Sequence, residues 1–390
     1  MDRVKTRSLC LAILLGALLM IPTPQAWAQA NELPEGWEIQ VIPMWMWVGG
    51  FDEHVGDVVE GTFTDPDGTE LIAFNHKPIN LEMDSNVTGR VELTFRRDQW
   101  GFGVSGWFFL TDEDESGGVT TPSPAAIPGF LNSVSMWDAI FLPLADDFTS
   151  SGAAPFSFFA DAELNTFTFD IFGLRTLAEK PASRIDLLAG LKLGWLDMEV
   201  NQGLATRGFF GDPPPGDLFY EFLSANSAAD SDFLGIGPMV GFAGDATWER
   251  FRVKAFITQS VLAGEADLDG VWKGNVEGGE ADSFGGPFTP AGRLRGDVRF
   301  SKEETVFIPV TEAQIKVKYE ITENIAIGLA GFASIWIDAP APPTYHAPLA
   351  TIAFDDPDGA IFFASQGTWE LEERTLSFLG VGIDIEIMWL

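Results

Sequence analysis

Three histidines, His54, His76 and His346, are the chain's entire stock of the side chain that most often serves as a general base near neutral pH. Nucleophilic catalysis needs such a base within reach of a serine, and a third group to orient it. None of the three sits on an alternating strand face with a serine two residues on. Their contexts are His54-Val55-Gly56, His76-Lys77-Pro78 and His346-Ala347-Pro348. All three read as exposed loop residues, so no catalytic residue is expected and no enzyme. The single cysteine, Cys10, lies near the N-terminus, and no His/Cys spacing of a zinc site occurs.

Carboxylates are the second source of chemistry. Asp112-Glu113-Asp114-Glu115 leads into Ser116-Gly117-Gly118, and Asp65-Pro66-Asp67-Gly68-Thr69-Glu70 forms a second cluster. Hard oxygens of this kind suit Ca²⁺ or Mg²⁺, and glycine allows tight turns around an ion. Asp65, Asp67, Asp112 and Asp114 are therefore candidates for a weakly held divalent cation. Neither cluster has the full spacing of an EF-hand loop, and a solvated acidic surface is the competing reading. No other cofactor is expected.

The third set alternates with apolar residues. Arg90, Glu92, Arg96, Lys192, Arg252, Lys254, Lys316, Lys318, Asp384 and Glu386, with Asp170, Asp186 and Glu320, occupy the polar face of segments whose other face is apolar. Two readings stay open. The charges could fill an interior as a salt-bridge network, or line a constriction that sorts solutes by charge.

Those faces require strands. From Leu379, the odd positions are Leu379, Val381, Ile383, Ile385, Ile387 and Trp389, whereas Gly380, Gly382, Asp384 and Glu386 alternate with them. The same period of two recurs in segments around 91–96, 100–111, 166–171, 185–195, 234–242, 251–258, 315–320 and 325–335. A less regular segment at Trp37–Val48 has Pro43 inside it. About ten strands are predicted, in a range of eight to twelve.

Composition and the N-terminus set the compartment. Lys+Arg number 23 against 57 Asp+Glu, a net charge of −34, which repels nucleic-acid phosphates. Arg3, Lys5 and Arg7 precede the apolar run Leu9–Ile21. Pro22 and Pro24 end that run, and Ala26-Trp27-Ala28 has the small-x-small form of a signal-peptidase site. Residues 1–28 are read as a signal peptide and 29–390 as one exported domain.

Connections separate a barrel from a secreted acidic β-sandwich. Short ones are read near Arg97-Asp98, Ala178–Ser183, Asp245–Trp248 and Thr322-Glu323. Long ones are read near 50–84, 113–155, 200–231, 266–303 and 338–369, some of them rich in acid, as at Asp267, Asp269, Asp355, Asp356 and Asp358. Long and short alternate, the rhythm of short periplasmic turns and long outside loops. Several segments also approach the 9–11 residues a tilted strand needs to cross hydrocarbon. The fold expected is all-β: a single antiparallel transmembrane β-barrel with long acidic outside loops. Trp37, Trp45, Trp47, Trp100, Trp195, Trp248, Trp336 and Trp389 are read as interfacial or facial aromatics.

Four stretches, RIDLLAGLKLGWLDMEV (Arg184 to Val200), FLGIGPMVGFAGDATW (Phe233 to Trp248), VFIPVTEAQIKVKYEI (Val306 to Ile321) and the ending TLSFLGVGIDIEIMWL, resemble in that order the Legionella-type pore-forming outer-membrane protein family. The resemblance covers about half the chain, from residue 184 onward. It implies a barrel and a pore, and it supplies no catalytic residues. Such barrels commonly end in a terminal Phe that assists recognition by the insertion machinery. Here Trp389 is followed by Leu390. The combined expectation is a porin-like channel or structural barrel for small solutes in a bacterial outer membrane. Its partners would be lipid, lipopolysaccharide and the insertion machinery.

Overall fold

A computed structural model describes residues 35–51, 53–62, 73–81, 83, 85–119, 130–136, 156–206, 218–280, 289–346, 353–354, 361–362 and 368–389. The signal-peptide segment, Asp65 and Asp67, and Asp355, Asp356 and Asp358 lie outside them.

Ten antiparallel strands close into one barrel. They are β1 (Gly36–Gly49), β2 (Asn86–Arg97), β3 (Trp100–Val119), β4 (Phe156–Lys180), β5 (Ser183–Thr206), β6 (Leu218–Trp248), β7 (Phe251–Glu280), β8 (Thr289–Thr322), β9 (Ile325–Pro340) and β10 (Glu373–Trp389). Each strand pairs with its sequence neighbour, and β1 pairs with β10 to shut the ring, from Trp37 opposite Trp389 to Gly49 opposite Ser377. Every alternating segment of the sequence falls in one of these strands.

The barrel is inside out relative to a soluble sandwich. Leu329 (71% exposed), Trp100 (63%), Leu234 (57%) and Ile171 (55%) point outward, as do Ile383, Ile385 and Ile387. Asp384 and Glu386, between those isoleucines, are fully buried. In water such an exterior has no partner to bury it, whereas in hydrocarbon it is already solvated. The fold is a transmembrane β-barrel. Aromatic rings mark its turn end: Trp37 stands 5.0 Å from Phe95 and 6.5 Å from Trp389, and Phe251 stands 5.3 Å from Tyr319. At the opposite edge Trp195 Nε1 donates to Asp232 Oδ1 at 2.9 Å.

Tight turns join the strands at the aromatic end. Asp98 and Glu249 each adopt φ of 54°, the left-handed conformation that two-residue reversals need. The second of these corrects the expected turn at Asp245–Trp248. Those residues belong to β6, and the reversal falls at Glu249-Arg250. Closing so few strands brings backbones close together at glycines. A Cβ on Gly190 would lie 2.0 Å from the Ile171 carbonyl oxygen.

Several expected loops are corrected as well. β4 to β8 run 25, 24, 31, 30 and 34 residues, far beyond what a membrane crossing requires. Most of 200–231 and 266–303 is therefore strand, a wall that rises past the apolar belt. The physical reason is a change of sign at the belt's edge. Below it the outward face is apolar, whereas above it the outward residues are Asp232 and Asp230, or Glu265, Asp267 and Asp269. Period two persists, but the mean polarity resembles a loop. The stretches 50–84 and 113–155 also contain a three-stranded sheet, Ala73–Leu81 with Glu53–Thr62 with Phe130–Met136. His54 and His76 thus lie in strands, and His346 ends a short strand, Thr344–His346, paired with Thr368–Glu370.

On the wall, Asp197 faces Asp232 and Asp232 faces Asp267, while Glu199 faces Asp230 and Asp230 faces Asp269. Like charges directly opposed across strands repel. Partial burial first, then Asp269, Glu199, Asp197 and Asp232, raise the Asp230 carboxyl to about 6. The folded wall therefore takes up a proton between about pH 4 and 6 that the unfolded chain does not, and stability falls as pH rises through that window. Asp230→Asn is expected to raise the unfolding temperature in detergent at pH 7.5 and to leave it unchanged at pH 3.5.

Candidate functional site: the charge-paired lumen

Alternation aims every second side chain of all ten strands at the barrel axis, and these side chains sort by height. The end near the tight turns is charged. Arg252, from β7, pairs bidentately with Asp245 on β6 (2.9 and 2.5 Å) and reaches Glu386 on β10 (2.8 Å). Lys254, two residues along the same face, contacts Glu38 on β1 and Glu386 (2.8 Å). Lys318, from β8, sits between Asp384 (2.8 Å) and Glu386, with all three side chains fully buried.

One level further in, Lys316 binds Glu92 (2.6 Å) and Gln40 (2.5 Å). Arg90 binds Glu92 (2.7 Å) and the Ser105 hydroxyl (3.0 Å), with Glu312 at 3.6 Å. Lys192 lies between Asp170 (2.6 Å) and Glu312 (3.0 Å), and Trp107 Nε1 donates to Glu312 at 2.8 Å. To one side Arg96 pairs with Asp186, which also accepts from Thr176 and has Arg184 at 3.6 Å.

Above these layers the lumen turns apolar. Trp107, Phe109, Phe332, Trp336 and Phe378 pack with Ile42, Met46, Leu262 and Ile308 in one buried cluster. Trp107 lies 5.3 Å from both Phe332 and Phe378. Glycines make room for the rings: a Cβ on Gly194 would come 2.8 Å from the Trp336 ring. At the end of β9, Asp338 (φ 56°) turns the chain inward, and Ala339 to Tyr345 are buried. Ser231 donates to the Pro340 carbonyl at 3.1 Å, and Tyr345 lies 5.3 Å from Trp272 and 5.0 Å from Trp369. Trp336 is therefore an interior residue and not an interfacial one.

A cavity of about 70 Å³ interrupts the packing at the charged level. Phe172, Leu174, Leu188 and Met239 line it together with Arg90, Glu92, Arg96 and Lys254.

The structure places Arg90, Glu92, Arg96, Lys192, Arg252, Lys254, Lys316, Lys318, Asp384 and Glu386 inside the barrel, each in one of the pairs above. Sequence reasoning missed Glu38, Asp245, Glu312, Arg184 and the bridging Gln40. Glu312 shares parity with Lys316 and Lys318, which was a usable signal. Asp245 was hidden by the misplaced turn. Asp112 and Asp114 stand on β3 opposite Glu163 and Asp161 of β4, not on a glycine-rich loop. Among the described residues no group of three His, Cys, Asp or Glu converges as a metal set.

No family model matches the chain, and no curated protein does. The Legionella-type resemblance thus has no counterpart there. Among solved structures, the toluene transporter TodX of P. putida aligns with 92% of this chain and 91% of its own, at 9% identity and a TM-score of 0.22. The toluene transporter TbuX of Ralstonia pickettii aligns over 94% of both chains at 8% identity and a TM-score of 0.19. A FadL homologue of Pseudomonas aeruginosa aligns over 94% of both at 9% identity and 0.22. Scores this low transfer no property to this chain, whose barrel stands on its own pairing.

Removing one member of a buried ion pair strands its partner's charge at a cost of about 3–5 kcal/mol, whereas removing both costs far less. Lys318→Met should therefore lower folding stability in vesicles by about that amount in urea titrations. Adding Asp384→Asn should recover a large part of the loss.

Proposed function

We propose that the protein is a β-barrel of a bacterial outer membrane, exported through its N-terminal leader, and a small-solute channel held shut at rest by its own lumen charges. One observation carries this reading: the inward charges are buried in pairs. Below the apolar core, eight basic side chains (Arg90, Arg96, Arg184, Lys192, Arg252, Lys254, Lys316 and Lys318) meet eight acidic ones (Glu38, Glu92, Asp170, Asp186, Asp245, Glu312, Asp384 and Glu386), and Glu320 adds a further carboxylate on the same face of β8 at the turn end. None of the sixteen paired side chains is more than 17% exposed. A porin's constriction keeps unpaired charge facing water to select ions; here the charge is consumed in pairs. Ten strands also make a bore only slightly wider than the eight-stranded kind that side chains can fill.

The reading is non-enzymatic, with lipid and lipopolysaccharide chains bathing the belt and the β10 ending offered to the insertion machinery. Reconstituted in planar bilayers, the wild type should show no steady conductance. Lys316→Glu with Lys318→Glu places two more carboxylates among Glu92, Asp384 and Glu386, and is expected to give a steady, cation-selective conductance where the wild type gives none. Heat-modifiability on a gel verifies that the variant is folded. A steady, anion-selective wild-type current would overturn the closed-channel reading. A folded double variant that stays silent would leave a structural barrel as the function.

A further inference from the structure

The lipid-facing surface holds one polar island. Outward residues on β7 run Phe251, Val253, Ala255, Ile257, Gln259, Val261 and Ala263, and on β8 Tyr319, Val317, Ile315, Ala313, Thr311, Pro309 and Phe307. Gln259 and Thr311 are direct cross-strand partners. The Thr311 hydroxyl donates to Gln259 Oε1 at 2.6 Å, and Gln259 Nε2 donates to the Val310 and Ser260 carbonyls at 3.2 Å. Gln259 stands eight residues from the aromatic rim at Phe251 and six from Glu265, the first outward charge. That places it within the hydrocarbon. Asn165, Thr305 and Ser377 adjoin the outer edge of the belt. Within it no other amide or hydroxyl side chain faces outward among the described residues.

The island lies in a low patch. Ala313 is paired with Ala333 and Ile315 with Gly331, while Phe307 (66% exposed) and Leu329 (71%) stand higher around it. Small residues let two backbones approach in lipid, and polar side chains there gain from hydrogen bonds across the contact.

We propose that this face is the contact between two copies of the chain, related by a twofold axis along the membrane normal. The inference rests on the membrane reading above. Every copy inserts with its tight turns on the same side, so each depth of one barrel meets the same depth of the next. A polar patch at one depth therefore finds its complement in itself. A primary amide both donates and accepts, so Gln259 can exchange one of its bonds to the Ser260 and Val310 carbonyls for a bond to its own counterpart, the self-matching geometry of a twofold contact. One force opposes the pairing. Glu265, Asp267, Asp269 and Glu303 stand above the patch, and two copies bring these walls together. That repulsion is screened over ~10 Å at 0.1 M salt. The dimer should hence tighten as salt rises, opposite to an ion-paired interface.

The test places single cysteines in the full chain with Cys10→Ser. Oxidation in native membranes should link Val261→Cys, the next outward residue on β7, into disulfide dimers, with more product at high salt than at low. Val91→Cys, on β2 across the barrel, should give none. In mild detergent the wild type should show twice the mass of one chain by light scattering. Gln259→Leu with Thr311→Val should fall to one chain while remaining heat-modifiable. A wild type of single-chain mass with no Val261→Cys product, or equal linking at Val91→Cys, overturns the contact. A detergent-dependent, heat-modifiable monomer sinks the contact alone, whereas recovery without detergent sinks the membrane reading itself.

Discussion

Everything in this molecule depends on the pairing of β1 with β10. Hydrocarbon offers no water to an open strand edge, so each unpaired N–H or C=O there would cost several kcal/mol. The ladder from Trp37–Trp389 to Gly49–Ser377 removes that edge. Once the ring is shut, each strand has one face for lipid and one for the axis, and no third choice exists. The inverted polarity follows: isoleucines out, Asp384 and Glu386 in.

Closure also decides how the interior must be filled. Charges brought into a narrow bore lose water and must find partners, which explains why Glu386 serves Arg252, Lys254 and Lys318 together. Higher up, the same bore holds rings instead of ions, with Trp107 bridging the two regimes through its contacts with Phe332 and Glu312. The indole is amphipathic, and it stands at the boundary its chemistry suits.

Strand identity was legible because lipid imposes period two on long segments. The final strand, Leu379 to Trp389, could be placed from its isoleucines alone. What was not legible lies where lipid stops acting. Above the belt Asp267 and Asp269 face water, and a strand there looks like a loop; only the pairing of β7 with β8 reveals it. The lumen set was legible residue by residue, cations and several of their carboxylates alike, but not pair by pair. Lys316 and Lys318 stood out as inward cations, but their partners Glu92, Asp384 and Glu386 come from other strands. Spacing along one strand cannot say which residue of a distant strand sits opposite. Hence a filled bore and a selective one read alike until the register was known.

The pairing of positive and negative charge inside the bore has an electrical consequence. A potential across a membrane does work on a moving charge, about 2.3 kcal/mol per elementary charge per 100 mV. The sixteen paired side chains hang from the wall strands themselves, and moved together they carry no net charge for that field to pull. Voltage alone therefore has little grip on them. Whatever loosens the lining must compete for the partners of individual charges.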